Sequence, residues 1–184
     1  MFDQTDGNGA HSTVLSGDGI VLIPYVELDG SWTIPDAEMR KVYDTLVGEK
    51  LLEILMPEGA VKSAGHFLAL MKSPANLPVV LYSEKNPAGI GWLNGLGRNS
   101  AFAHFCFFRS TWGRLTNAMG KKLLDYWFGF PGESGPLFDV LIGVLPAWNH
   151  KAAKYVRRMG FTHVGDVPML GGASGSALFY KLRN

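Results

Sequence analysis

Residues 145–165 read L-P-A-W-N-H-K-A-A-K-Y-V-R-R-M-G-F-T-H-V-G, and the reading of the whole chain turns on them. Asn149 stands where a short polar side chain caps a helix. Trp148, Ala152, Val156 and Met159 then recur at helical spacing, which predicts a buried stripe on a helix over 149–159. Gly160 supplies the stop, and Phe161 opens a strand. On local physics alone this is a capped helix–strand unit.

Upstream of it, Leu137–Val144 reads as a strand between G-F-P-G-E-S-G-P and L-P-A-W. Thr116–Phe128 reads as a helix, with Leu115, Met119, Leu123 and Trp127 on one side. Before that helix, A-F-A-H-F-C-F-F-R (101–109) is apolar on both faces, so it belongs centrally in a sheet covered on both sides. L-P-V-V-L-Y-S and G-I-G-W-L-N-G-L are two more strands, joined through E-K-N-P-A, and the three form an antiparallel meander. Further toward the N-terminus come a helix over 59–72, a short one over 50–55, one from Pro35-Asp36 to Val47, and a strand over 19–26. Downstream, F-T-H-V-G-D-V and S-A-L-F-Y-K-L close the chain around a Gly-rich turn. The 101–109 and 137–144 strands are joined by a helical crossover and should run parallel. The expected fold is α/β, a single mixed, mostly antiparallel sheet of about seven strands flanked by helices, with an unrelated α+β sandwich as the alternative that periodicity leaves open.

At 184 residues, 47% hydrophobic and 18% charged, the chain suits one domain with a substantial core, over 19–184. Residues 1–18, rich in Gly, Asp, Ser and Asn, are expected to be a flexible tail. A net charge of +1 gives no general attraction to nucleic acid or an anionic membrane, so neither is an expected partner. The single cysteine, Cys106, excludes an intrachain disulfide and a multi-cysteine metal site; no metal is expected, and the expected compartment is the cytoplasm. The N-terminus carries no signal-peptide pattern, and G-I-V-L-I-P-Y-V is far short of the roughly 20 residues that span a bilayer.

The strand-to-helix passage R-S-T-W-G-R-L-T (109–116) reads on local grounds either as a phosphate site or as an ordinary glycine turn with a solvated basic face. A helix start offers unpaired N–H groups and the positive end of the dipole, Gly113 admits close backbone approach, and Arg114 adds a cation. Lys121 and Lys122 lie one to two turns on, in reach of a diphosphate or of solvent.

The spacing in 145–165, with an Asn at the helix start, Ala three residues on and Gly-Phe after eleven, resembles the C-terminal signature of the GCN5-related N-acetyltransferase (GNAT) superfamily. F-A-H-F-C-F-F-R and L-L-D-Y-W-F resemble its acetyl-CoA-binding core, and W-G-R with D-Y-W-F resembles its ribosomal-protein acetyltransferase branch. The element order matches from Gly19 to Leu182. The resemblance implies an acyl-CoA N-acyltransferase fold and direct transfer of an acetyl group from acetyl-CoA to an amine acceptor, by a monomer or homodimer. It implies that acetyl-CoA lies along Phe107, Phe108 and Arg109, then over Gly113, Arg114, Leu115, Thr116 and Asn117, flanked by Asn149 and Ala152. A GNAT-fold binding or assembly protein without catalysis is the alternative, some phage-encoded proteins being similar, and use of another acyl-CoA is a third reading. Two departures stand out. Arg114, Leu115 and Thr116 occupy the place of the superfamily's second glycine or alanine. Val156 occupies the place of its tyrosine acid, with Tyr155 one position early, about 100° around the helix.

For the chemistry, His104 on the central strand is either the candidate base, its imidazole having a suitable ordinary pKa, or a buried, hydrogen-bonded core histidine. Tyr155 is the candidate acid. His66 faces either the acceptor cleft or solvent. Cys106, among phenylalanines, reads as a small core residue. Trp32, Trp92 and Trp148 are candidates for an acceptor pocket, which the region Glu27–Pro57 would shape.

Overall fold

Consecutive buried residues Val79, Val80 and Leu81 mark a strand covered on both faces, and the sheet is built around such strands. The computed structural model describes residues 19–56, 59, 61–113, 115–168, 170 and 175–183. Its elements are β1 (Ile20–Pro24), β2 (Glu27–Leu28), β3 (Ser31–Trp32), α1 (Asp36–Gly48), α2 (Leu52–Leu55), α3 (Ala64–Met71), β4 (Leu77–Ser83), β5 (Asn86–Asn94) and β6 (Ser100–Phe107). A single 3₁₀ turn (Arg109–Thr111) leads to α4 (Thr116–Phe128), followed by β7 (Pro131–Gly132), β8 (Gly135–Pro136), β9 (Val140–Pro146), α5 (His150–Arg158), β10 (Thr162–Val167) and β11 (Ser176–Leu182). Seven strands form one sheet in the order β1-β4-β5-β6-β9-β11-β10, with β6 and β9 parallel and every other pair antiparallel. The expected fold class is the one observed.

Two cores lie on opposite faces of the sheet. One joins Met119, Leu123 and Trp127 of α4 and Val156 of α5 to Val79, Leu81, Ala101 and Phe179. The other joins Met39, Val42 and Leu46 of α1 and Phe67 and Met71 of α3 to Val80, Ile90 and Trp92. Strand alternation sends neighbouring residues to opposite cores, so Val79 and Val80 part company.

Several boundaries differ from the sequence reading. Helix α3 begins only at Ala64, because the Ser63 side chain accepts a hydrogen bond from His66 N (3.1 Å) and sets the start there. The β4–β5 turn contracts to Glu84 and Lys85, both at positive φ (52° and 67°), so that Ser83 pairs with Asn86. Pro87 fits in β5 because β6 pairing begins only at Gly89, and no ladder donor is lost on that side. Strand β9 runs from Val140 to Pro146, since Asp139 is taken up by Asn99 and Arg183. The small hairpins β2–β3 and β7–β8 carry no sequence signal of their own length. No helix among the described residues is long and apolar enough to cross a membrane.

Candidate active site

Strands β6 and β9 pair at three positions only, Ser100 with Val140, Ala101 with Leu141 and Phe102 with Ile142. Beyond these the strands diverge, β6 running on to Phe107 and β9 to Pro146. The parting is not fraying, because each strand stays paired on its outer side: β6 with β5 through Phe107, and β9 with β11 through Pro146. Phe108 N donates to Ala88 O of the neighbouring segment (2.9 Å). In an antiparallel ladder bonding alternates, so the even residues of β6 face β5, and past the Phe102–Ile142 bridge the Ala103 carbonyl, Phe105 and Phe107 turn backbone groups into the gap. Phe107 O takes the Trp112 indole N–H (2.8 Å). Ala103 N–H closes the last bridge, Phe102 with Ile142, by donating to Ile142 O, so the Phe105 N–H is the first left open to the gap.

A cleft of about 490 Å³ fills this gap, within the usual range for a small-molecule site. Its walls are β6 from Ala103 to Phe107, β9 from Gly143 to Pro146, and the start of α5. Thr116 stands at one end and Leu51, Ile54 and Leu55 at the other.

At the Thr116 end, α4 starts without a side-chain cap and without an acidic residue in its first turn. The amides of Thr116 and Asn117 have no partner among the described residues. Thr116 Oγ1 instead accepts from Gly113 N (3.0 Å) and donates to Thr111 O (3.3 Å), which holds the loop open. Gly113 has φ +91°, and the space where a Cβ would sit is empty. A helix start left in this condition is an anion site in waiting.

His104 stands at the middle of the cleft. Its ring stacks on Trp92, the residue opposite it on β5 (4.8 Å between centroids, 11° between planes), and its Nε2 lies 3.0 Å from Asn94 Oδ1. Burial pushes its pKa down to about 4, so the imidazole is neutral at pH 7. Cys106, two residues on, has its thiol pushed up to about 12 by burial, reinforced by Glu49; that is an inert thiol.

Tyr155 reaches the cleft from α5. Its ring meets Phe105 and Phe107 edge-on (6.2 and 6.1 Å), and its hydroxyl donates to Thr116 O (2.8 Å). Gly120 makes this possible, since a Cβ there would lie 2.0 Å from the Tyr155 oxygen. Burial raises the phenol's pKa well above its usual value, so it stays protonated. Val156 is buried in the core.

Of the residues expected along acetyl-CoA, Phe107, Arg109, Thr116, Asn149 and Ala152 line the cleft. Phe108 does not: after β6 the chain turns, and its ring is 2% exposed in the core on the other face. Arg109 spends its guanidinium on Glu49 O (3.2 and 3.1 Å) and its backbone N–H on Glu49 Oε2 (2.7 Å), fastening the loop to the end of α1. Leu115 is the residue before α4 and packs its side chain against the core, Asn117 is exposed in the first turn, and Arg114 lies outside the described residues. The Asn149 side chain accepts from Ala152 N (3.1 Å) as the cap it was read to be. Trp148, placed by its spacing on the buried stripe, is instead 54% exposed at the cleft mouth. Trp92 is core, Trp32 packs on Tyr25 under Lys72, and His66 is exposed on α3. Lys121 pairs with Asp125, and Lys122 donates to Ile20 O. Sequence reasoning missed Asn94, Trp112 and Gly120, whereas Leu51, Ile54 and Leu55 fall in the Glu27–Pro57 region read as shaping the acceptor pocket. Only Gly120 left a signal, as a glycine inside a helix that asks for a packing reason.

No protein-family model matches the sequence, and no curated protein matches it. Solved structures do match in shape. Spermidine N-acetyltransferase from Vibrio cholerae, in complex with CoA and spermine, superposes at TM-score 0.67 with 16% identity over 88% of this chain and 95% of that one. The Salmonella typhimurium acetyltransferase that modifies the N-terminal serine of ribosomal protein L7/L12 gives 0.68, 11%, 90% and 96%. Ribosomal-protein-S5-alanine acetyltransferase from Vibrio fischeri gives 0.66, 11%, 92% and 96%. The chain thus has the fold of these N-acetyltransferases, the acyl-CoA N-acyltransferase (GNAT) fold.

Proposed function

We propose that the protein is an acetyl-CoA-dependent N-acetyltransferase that moves an acetyl group directly to an amine. The observation that carries the reading is the parting of β6 from β9 after Phe102. It exposes a peptide edge beside an uncapped helix start.

The residues fit such a co-substrate. The amides of Thr116 and Asn117, with the turn at Gly113, suit a diphosphate. The open edge formed by the Ala103 carbonyl and the Phe105 backbone suits an amide-bearing arm. When bound, acetyl-CoA supplies a thioester whose acyl carbon accepts the amine.

This chain's own groups then do three things. Cleft walls hold the two reactants together, and positioning contributes about 7–11 kcal/mol in favourable cases. The Phe105 N–H faces the gap in which an acyl oxygen would gather charge. His104, neutral and lining the same cleft, accepts the amine proton. The leaving group needs no side-chain acid, because a thiolate is a far weaker base than an alkoxide or amide anion and departs readily. Tyr155 contributes by holding Thr116 in place.

Titration calorimetry with acetyl-CoA and desulfo-CoA tests this. Both should bind below millimolar concentration, and an amine and peptide panel should then show CoA release. No binding at millimolar ligand would sink the transferase reading and leave a GNAT-fold binding protein.

A further inference from the structure

His104 has two ring nitrogens in different circumstances. Nε2 lies 3.0 Å from Asn94 Oδ1, an atom that can only accept, so Nε2 carries the proton. A neutral imidazole with its proton on Nε2 has its lone pair on Nδ1. No protein group bonds Nδ1 among the described residues, and it is not among the buried unpartnered atoms. It therefore opens on the cleft that His104 lines. Trp92 fixes the ring plane by stacking, and Asn94, two residues further along β5, fixes which edge points where.

We infer that Asn94 is a positioning residue for acetyl transfer: its carboxamide oxygen selects the Nε2–H tautomer of His104 and so presents Nδ1 to the cleft as the proton acceptor. The inference rests on the N-acetyltransferase reading. In the step it serves, the amine nitrogen bonds to the acyl carbon and the C–S electron pair leaves with sulfur. One N–H proton of the amine passes to Nδ1. The resulting imidazolium keeps its Nε2–H on Asn94 Oδ1, loses the Nδ1 proton to solvent, and sulfur takes a proton from solvent.

A carboxamide that donated instead would impose the opposite tautomer and turn a proton toward the amine. A leucine in its place would impose neither. Trp92 cannot make this choice, because a stacked face does not distinguish the two nitrogens.

The test is long-range ¹H–¹⁵N correlation on protein labelled at histidine, with His104 assigned through His104→Gln. The wild type should show the Nε2–H tautomer. Asn94→Leu should mix the tautomers, Asn94→Ala should do the same if the leucine folds poorly, and Asn94→Asp, which only accepts, should restore Nε2–H. With benzylamine as the acceptor probe, Asn94→Leu should lower kcat for CoA release about tenfold and leave the acetyl-CoA KM within twofold. An Nδ1–H tautomer in the wild type, or an Asn94→Leu protein with unchanged tautomer and kcat, would overturn the inference. Failure of the wild type to bind acetyl-CoA would instead overturn the transferase reading, and the tautomer result separates the two failures.

Discussion

Two helices begin beside the same cleft, and they begin differently. α5 is closed by its own sequence, with the Asn149 side chain taking the Ala152 amide. α4 has no side-chain cap, no acid in its first turn, and Thr116 turned away to hold Gly113 and Thr111. A helix start that the chain could have closed with one Ser or Asp, but leaves bare, is the start the proposed reading assigns to a ligand. The same contrast recurs within His104, where one nitrogen is satisfied by Asn94 and the other is left to the cleft. Satisfied groups fix the frame, and open ones face what binds.

The largest effect should come from overloading the half-satisfied group. Burial lowers the His104 pKa from 6.5 to about 4. The unfolded chain therefore takes up its proton first as pH falls. Stability from this residue is intact above pH 6.5 and is lost progressively down to about pH 4. The gap corresponds to on the order of 3 kcal/mol. Urea unfolding at pH 7.5, 5.5 and 4.5 should show that His104→Gln removes this part of the pH slope. A variant whose slope matches the wild type would show that the ring charges freely in the fold.

Next in size is an attempt to make α4 resemble a closed helix start. Asn117 is exposed in its first turn, so Asn117→Asp adds a charge with almost no change of shape. The helix dipole should welcome the carboxylate by about 0.3–1 kcal/mol. A diphosphate at the same amides should be repelled, with acetyl-CoA affinity falling about tenfold or more, and further at low salt. Calorimetry and urea unfolding on one preparation read both. Equal affinity would mean that the diphosphate is held elsewhere.

Much of this was legible in the sequence, and the failures have physical causes. The bounds of α4 came directly from Met119, Leu123 and Trp127, because a long periodic helix declares itself. Asn149 and Gly160 marked α5 for the same local reason. The central strand was legible from its two apolar faces, but its end was not. The apolar run continues through Phe108, while the backbone turns that ring into the opposite core. Tyr155 was placed about 100° off the productive direction by counting around an isolated helix. The counting had no access to Gly120, whose missing side chain opens the path from Tyr155 to Thr116. Asn94 was invisible because its partner is chosen by register across two strands. The parting of β6 from β9, on which the site depends, is a relation between strands some forty residues apart, and no local pattern in either one encodes it.

The smallest effect should come from opening the helix that is closed. Asn149→Ala removes the α5 cap and leaves the Ala152 amide without its acceptor. Loss of such a cap costs about 1 kcal/mol, read as a lower urea midpoint with an unchanged slope. If the Asn149 side chain serves only its own helix, acetyl-CoA affinity should stay within about threefold. A bare α5 start would then be no substitute for a bare α4 start, because only α4 has the open turn at Gly113 in front of it. A tenfold loss of affinity in Asn149→Ala would show the opposite. The cap would then count among the groups that hold the co-substrate, and the contrast between the two helices would be one of degree.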